Sequence, residues 1–256
     1  MQKISTVIIT FNEQDNIKEC VKSVLWTDEI IIIDSFSTDK TIKICRSFGR
    51  RVKLYKRKWK GYADQKNFGI KKATNPWILS LDADERITRE LKKEISICLS
   101  QDKTLKRGYQ IPRKNYYFGR WIRRGGNYPD LQLRLFQKRY GKFSLVPLHE
   151  GVSLTQTGVL KHPMIHYSYK NINDYFKRFI IYTDMEKEIF ISKKVKVNIF
   201  SSFYYIVLLP FKKFISRFIF KLGFLDGLDG FIVLQLNNIT RMISYYKYYL
   251  WYKRNV

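Results

Sequence analysis

The sequence predicts an α/β protein, a doubly wound sheet with helices on both faces and a helical C-terminal extension, and three observations lead there. Up to residue 105, short apolar runs alternate with helical patterns, the alternation that builds a parallel sheet through crossover helices. The run EIIIID at 29–34 is unbroken and β-branched, as a strand covered on both faces requires. After residue 171 the periodicity turns helical. Composition permits such a fold: 256 residues, 45% hydrophobic and 27% charged, can bury a substantial core, which excludes a disordered tail or a disulfide-stapled miniature.

In chain order, STVIITF (5–11) reads as the first strand, and Ile17, Cys20, Val21, Val24 and Leu25 share one face of the helix that follows. Strand 29–34 leads to a short helix from Thr41 to Phe48, stopped by Gly49. Val52 to Tyr55 is a third strand, Asp64 to Ala73 a helix, Trp77 to Leu81 a fourth strand, and a helix starts near Thr88. These elements make residues 1–105 one half of a domain extending to 170. Its second half, 106–170, is β-rich, with an alternating strand around Leu131, Leu133 and Leu135 and another from Met164 to Tyr167. Residues 171–256 form the basic, aromatic C-terminal region. Its clearest helix runs from Phe203 to Leu222 with Pro210 as a kink. No apolar stretch matches a membrane span of roughly 18 residues, and the longest candidate stops at Lys212.

Ligands of open parallel sheets bind beyond the carboxyl ends of the strands, and three polar groups fall there. Strand one ends in Thr10, Asn12 and Glu13; strand two in Asp34, Ser35, Ser37, Thr38 and Asp39; strand four in Asp82, Asp84 and Glu85. Each alone also reads as turn and helix-cap chemistry. The carboxylates of strand four would repel unless basic side chains or a hard cation such as Mg²⁺ or Mn²⁺ offset them. A solvated acidic turn capping the next helix is the other reading. Asp130, Gln132 and Arg134 alternate with leucines, so one strand face is polar. The Arg134 fork suits phosphate oxygens or a salt bridge to Asp130 or Glu150. His149, His162 and His166 lack metal-ligand spacing and are assigned no metal.

ITFNE (9–13), IDSFSTDKT (33–41), QKNFG (65–69) and ILSLDADE (78–85) together resemble the nucleotide-binding half of family 2 glycosyltransferases of GT-A fold. YPDLQLRLF (128–136), PLHEGV (147–152) and KLGFLDGLDGF (221–231) resemble the bacterial branch that adds sugar to the lipopolysaccharide inner core, often a β-1,4-glucosyltransferase. The resemblance implies that Thr10, Asn12, Glu13 and Asp34 line the donor pocket, with Lys66, Asn67 and Arg134 near the nucleotide. Asp82 and Asp84 would be the DxD pair, Asp84 the direct metal ligand and Asp82 nearer the ribose. Glu150 would be the base of an inverting displacement. Phe36 stands where the family usually has a small residue, often Gly.

The net charge of +26 predicts attraction to polyanions. It is spread along the chain, with 32 Lys+Arg against 16 Asp+Glu in residues 1–150 and 16 against 6 in residues 151–256. The tail adds a hydrophobic stripe and the cluster Tyr245, Tyr246, Tyr248, Tyr249, Trp251 and Tyr252, the mixture found at membrane interfaces. The resemblance implies an inverting, metal-dependent transfer of a hexose, glucose from UDP-glucose, to a lipid-linked saccharide acceptor, a heptose of the lipopolysaccharide inner core. Peripheral contact with anionic lipid would hold the protein on the cytoplasmic, inner face of the inner membrane. The scattered Cys20, Cys45 and Cys98 fit a reducing compartment. Alternatives are a polyprenyl-phosphate or capsule acceptor, or a basic nucleic-acid module, which leaves the carboxylate cluster unexplained and lacks a nucleic-acid motif.

Overall fold

The computed structural model describes residues 2–100, 106–144, 151, 152 and 154–255. Its first elements are β1 (Ile4–Thr10), α1 (Ile17–Ser23), β2 (Glu29–Asp34), α2 (Thr41–Ser47), β3 (Val52–Lys56), α3 (Tyr62–Lys72) and β4 (Trp77–Asp82). The four strands lie parallel in the order β3-β2-β1-β4. Register aligns like with like: Ile8 sits beside Ile32 on one side and Leu81 on the other. Strands β1 and β2 are buried along their whole length, which is why their sequences show no polar alternation.

The two faces of this sheet take helices from different positions in the chain. Ile4, Ile8, Ile32 and Leu79 pack with Cys20 and Val21 of α1 and with Leu91 and Ile95 of α4 (Arg89–Ser100). Val7, Ile31 and Ile33 pack with Ala63 and Ile70 of α3. Helix α3 comes so close that a Cβ on Gly69 would lie 2.3 Å from a Val7 methyl.

The remaining strands extend the sheet: β5 (Glu85–Arg86), β6 (Gly108–Tyr117), β7 (Arg120–Trp121), β8 (Asp130–Gln137), β9 (Thr157–Val159) and β10 (Met164–Tyr169). Strand β8 is antiparallel to β4 and to β6, and β5 pairs with β10 so that Glu85 lies opposite His166. The β6–β8 register slips where Tyr109 pairs with Leu135 and Gln110 with Leu133. Arg134 is the bulged residue between them, a device that re-aims a side chain.

The chain divides into two compact units, residues 1–113 with 130–166, and residues 114–129 with 167–256. The second holds the β6–β7 hairpin end and α5 (Ile172–Ser192), α6 (Ile199–Phe203), α7 (Leu209–Phe214) and α8 (Gly227–Asn255). The tail tyrosines do not all face outward: Tyr245 and Tyr248 are buried, with Phe190 of α5 stacked on Tyr248. They are core residues of this unit, while Tyr246 is half exposed.

Helices α6 and α7 belong to one continuous rod, Ile199–Phe220, whose wider π turns at Tyr204–Leu208 and Ile215–Phe220 separate and end the α segments. By length and composition this rod could cross a membrane, correcting the expectation that no stretch qualifies. The linear run breaks at Lys212, but helical winding carries the lysines off the apolar stripe and the apolar face continues beyond them. Pro210 lies in the first turn of α7, where the wide turn before it tolerates a missing N–H.

Candidate functional site

The ends of β1, β2 and β4 converge because these strands are parallel neighbours in register. The first two loops are joined by hydrogen bonds. The Asn12 N–H donates to Ser37 Oγ (2.8 Å), Thr38 N–H donates to Asn12 Oδ1 (2.8 Å), and Glu13 N–H donates to Thr41 Oγ1 (2.8 Å). The Ser37 N–H and hydroxyl both donate to the buried Asp34 carboxylate. Asp39 accepts from Thr41 N–H (2.9 Å) and Gln14 N–H (3.1 Å), so it caps α2 and ties the loops. Thr10 Oγ1 is buried at this edge with no hydrogen-bond partner, a group left for a ligand to satisfy.

At the end of β4 the carboxylates are offset mainly by basic side chains. Asp82 Oδ1 lies 3.1 Å from Lys66 Nζ, and its Oδ2 accepts from Arg134 at 2.6 Å. Arg134 also donates to Glu85 Oε1 (2.6 Å), which Arg113 reaches at 3.2 Å, and Arg113 turns its other edge to Asp130 (2.7 Å). Glu85, fully buried, accepts the Asp82 N–H with Oε2. Burial alone would raise the Asp82 carboxyl, but Arg134 and Lys66 outweigh it and hold the group far below the usual carboxylate range. Burial opposes the charge on Arg134 too, and Asp82 and Glu85 reverse that effect. The bulge at Arg134 is what delivers its guanidinium to both carboxylates.

Asp84 lies between Asp82 and Glu85 in the chain and is buried. Its Oδ2 faces His166 Nε2 at 3.5 Å, beyond good hydrogen-bond length, and both side chains are largely buried. A carboxylate and an imidazole side by side form a mixed O/N donor pair for a divalent cation. Among the described residues no group of three or more His, Cys, Asp or Glu could hold a metal alone. A cation seated at this pair would take its remaining ligands from outside it, such as diphosphate oxygens and water, and the imidazole nitrogen is a donor outside the all-oxygen set that Mg²⁺ prefers.

Of the residues singled out in the sequence, Thr10, Asn12, Glu13, Asp34, Lys66, Asp82, Asp84 and Arg134 gather at these strand ends. Asn67 is engaged elsewhere: its amide exchanges two 2.9 Å hydrogen bonds with the Phe143 backbone. His162 pairs with Glu94 of α4 at 2.9 Å. His149 and Glu150 lie outside the described residues. Phe36 takes φ +64°, the left-handed conformation that favours Gly. Sequence reasoning missed His166, whose place beside Asp84 comes from the β5–β10 pairing, and Arg113, whose role follows from the β6–β8 register.

The family model described as "Glycosyl transferase family 2" matches residues 5–143. A Rickettsia typhi glycosyltransferase, RT0209, is 30% identical over 91% of this chain and 82% of its own. The lipopolysaccharide core biosynthesis glycosyltransferase LpsC of Rhizobium meliloti is 30% identical over 62% of each chain. Among solved structures, S. aureus TarS 1-349 in complex with UDP-GlcNAc superposes with TM-score 0.53 at 16% identity, covering 84% of this chain and 73% of that one. The Pyrobaculum calidifontis mannosyltransferase PcManGT, in complex with GDP-Man and Mn²⁺, gives 0.52 at 13%, covering 95% and 84%. These likenesses establish a shared GT-A-type fold.

Proposed function

The chain belongs to glycosyl transferase family 2, and on that premise we propose that it moves a hexose, glucose from UDP-glucose, to a heptose of the lipopolysaccharide inner core by an inverting, divalent-metal-dependent displacement. The observation that carries this reading is the Asp84–His166 pair at the carboxyl end of the central strand β4, beside an Asp82 already neutralised by Lys66 and Arg134. The core-biosynthesis role of LpsC supports the acceptor class. The nucleotide sugars held by TarS and PcManGT support the donor class.

Each group then has a task. Thr10, Asn12, Glu13 and Asp34 receive the base and ribose at the loops after β1 and β2, with Asp82 on the ribose side. Lys66 and Arg134 keep Asp82 ionised and add positive potential toward the diphosphate. Asp84 and His166 hold the Mg²⁺ or Mn²⁺, which when bound offsets the charge of the leaving nucleoside diphosphate. Glu150, assigned through the PLHEGV resemblance, accepts the proton of the acceptor hydroxyl. As that oxygen bonds to the anomeric carbon from one face, the bond to the phosphate oxygen breaks on the other and UDP departs. A lipid-linked acceptor places the protein in peripheral contact with the anionic cytoplasmic face of the inner membrane.

Calorimetric titration of UDP with and without Mn²⁺ tests the donor site. The native chain is expected to bind in a metal-dependent way and Asp84→Asn to lose that dependence. Native binding indifferent to metal would remove the cation from the reading. Glu150→Gln is expected to keep UDP affinity while transfer falls by roughly 10²-fold or more. Transfer at the native rate would exclude Glu150 as the base.

A further inference from the structure

The rod Ile199–Phe220 wears its apolar side outward. Phe200 is 82% exposed, Ile199 79%, Phe211 62% and Phe203 53%, and Val207 and Leu208 lie open between them. These positions recur at steps of four. In a regular α-helix each such step overshoots a turn by about 40°, which would wind the stripe around the rod. The wide turn at Tyr204–Leu208 takes in more residues per turn and cancels part of that drift, so the stripe stays on one side.

The opposite side is anchored within its own unit. Tyr245 of α8 meets the hydroxyls of Ser201 and Ser202 and stacks on Tyr205 with ring centres 4.7 Å apart. Phe214 and Phe218 pack against Phe231 of α8. Arg217 donates to the Gly125 carbonyl (2.6 Å) and to Asn127 Oδ1 (3.0 Å). A spanning helix would have to leave all of these partners and carry Lys212, Lys213 and Arg217 into hydrocarbon. The cover for the stripe must therefore approach from one side.

Charge selects that cover. Between Glu188 and Asp226 the sequence has seven Lys or Arg and no carboxylate, and Lys193, Lys194, Lys196, Lys212 and Lys221 are exposed around the rod. An apolar stripe edged with cations complements acyl chains beneath anionic headgroups.

We propose that the rod Ile199–Phe220 is an in-plane membrane anchor that seats its Phe200–Phe203–Phe211 stripe among the acyl chains of an anionic bilayer without crossing it. This identifies the surface behind the lipid-linked acceptor and rests on that reading for its purpose. Its geometry stands independently. The test floats the full-length chain with vesicles of phosphatidylcholine alone or mixed with phosphatidylglycerol. Strong binding to the anionic vesicles is expected. The triple variant Phe200→Ser, Phe203→Ser, Phe211→Ser should lose at least about tenfold in affinity, and Lys193→Gln, Lys194→Gln, Lys196→Gln should lose on the order of a hundredfold on anionic vesicles only. Unchanged binding by the phenylalanine variant would overturn the proposal.

Phe200→Trp guards against misfolding of the triple variant. Compared with the native chain, it should add blue-shifted emission quenched by brominated acyl chains, and the absence of that added signal would overturn the insertion. Two further results would overturn it: a dimer in solution that the phenylalanine variant abolishes, showing a second copy over the stripe, or native protein that resists alkaline extraction as a spanning protein does. UDP calorimetry on the same samples keeps the readings apart, because lost vesicle binding with intact UDP binding condemns only the anchor.

Discussion

Asp82 and Asp84 are separated by one residue and have opposite environments. Asp82 is locked between Lys66 and Arg134, so its negative charge is already matched, whereas Asp84 turns toward His166. Strand β4 ends at Asp82 and a turn at residues 83–84 precedes β5, and that turn sends the two carboxylates to different neighbours, where continued extended backbone would have put them on one face. A short acidic motif thereby acquires two roles. Phe36 shows the reverse case, a residue working against its backbone. A left-handed conformation costs an L-residue about 1–2 kcal/mol, and its ring is half exposed and recovers little by burial. Phe36→Gly should therefore raise unfolding free energy by about 0.5–1 kcal/mol, after the entropy cost of glycine, as read by urea denaturation. Loss of stability would mean that the ring makes contacts worth more than the strain.

At the scale of elements, single buried side chains tie strands to one another. Glu29 opens β2, yet its carboxylate accepts from Ser5 of β1, Lys53 of β3 (2.7 Å) and the Thr74 N–H before β4 (2.9 Å). Burial by itself would raise this carboxyl, but Lys53, Ser5 and Thr74 together lower it from 4.5 to about 2. A depressed folded-state value means the folded protein releases its proton more readily than the unfolded chain. The associated stability is complete above the unfolded value and is lost as pH falls from about 4.5 toward about 2. Glu29→Gln should be less stable than the native chain near neutral pH, and the gap should narrow in urea titrations at about pH 3. A gap that stays constant would show that the clamp acts by shape rather than charge. The rod at Ile199–Phe220 makes a related point, since its wide turns alter which residues share a face.

For the whole molecule, a net charge of +26 opposes compaction through self-repulsion, because most of the cations are on the surface while several of the carboxylates are consumed in buried pairs. The thermal midpoint should rise as salt shortens the Debye length from about 30 Å toward about 8 Å, measured by calorimetric scans in sodium chloride. A midpoint that falls with salt would mean that the attractive pairs outweigh the repulsion. The same surplus suits the proposed nucleoside-diphosphate donor and the proposed anchoring on anionic lipid.

The sequence by itself determined the order of the α/β elements, the parallel half-sheet and the loops that carry Thr10, Asn12, Asp34, Asp82 and Asp84. Apolar runs, turn residues and strand-end polar groups are local properties, and a parallel sheet places its strand ends together without further information. At Phe36 the sequence marked only a bulky residue where the resembled family usually has a small one, and the left-handed backbone there is a finding of the structure. What tertiary structure alone decided is which charges meet. His166 reaches Asp84 through a β5–β10 pairing, and Arg134 reaches Asp82 and Glu85 through a bulge set by the register with β6. No local pattern encodes either, because long-range strand register depends on how a whole face is buried. The same holds for the tail, whose periodicity marks a helix stripe but not which side is covered: Tyr245 and Tyr248 went inward and Phe200 and Phe211 outward, a choice made by packing on α8 and the surrounding helices rather than by hydrophobicity.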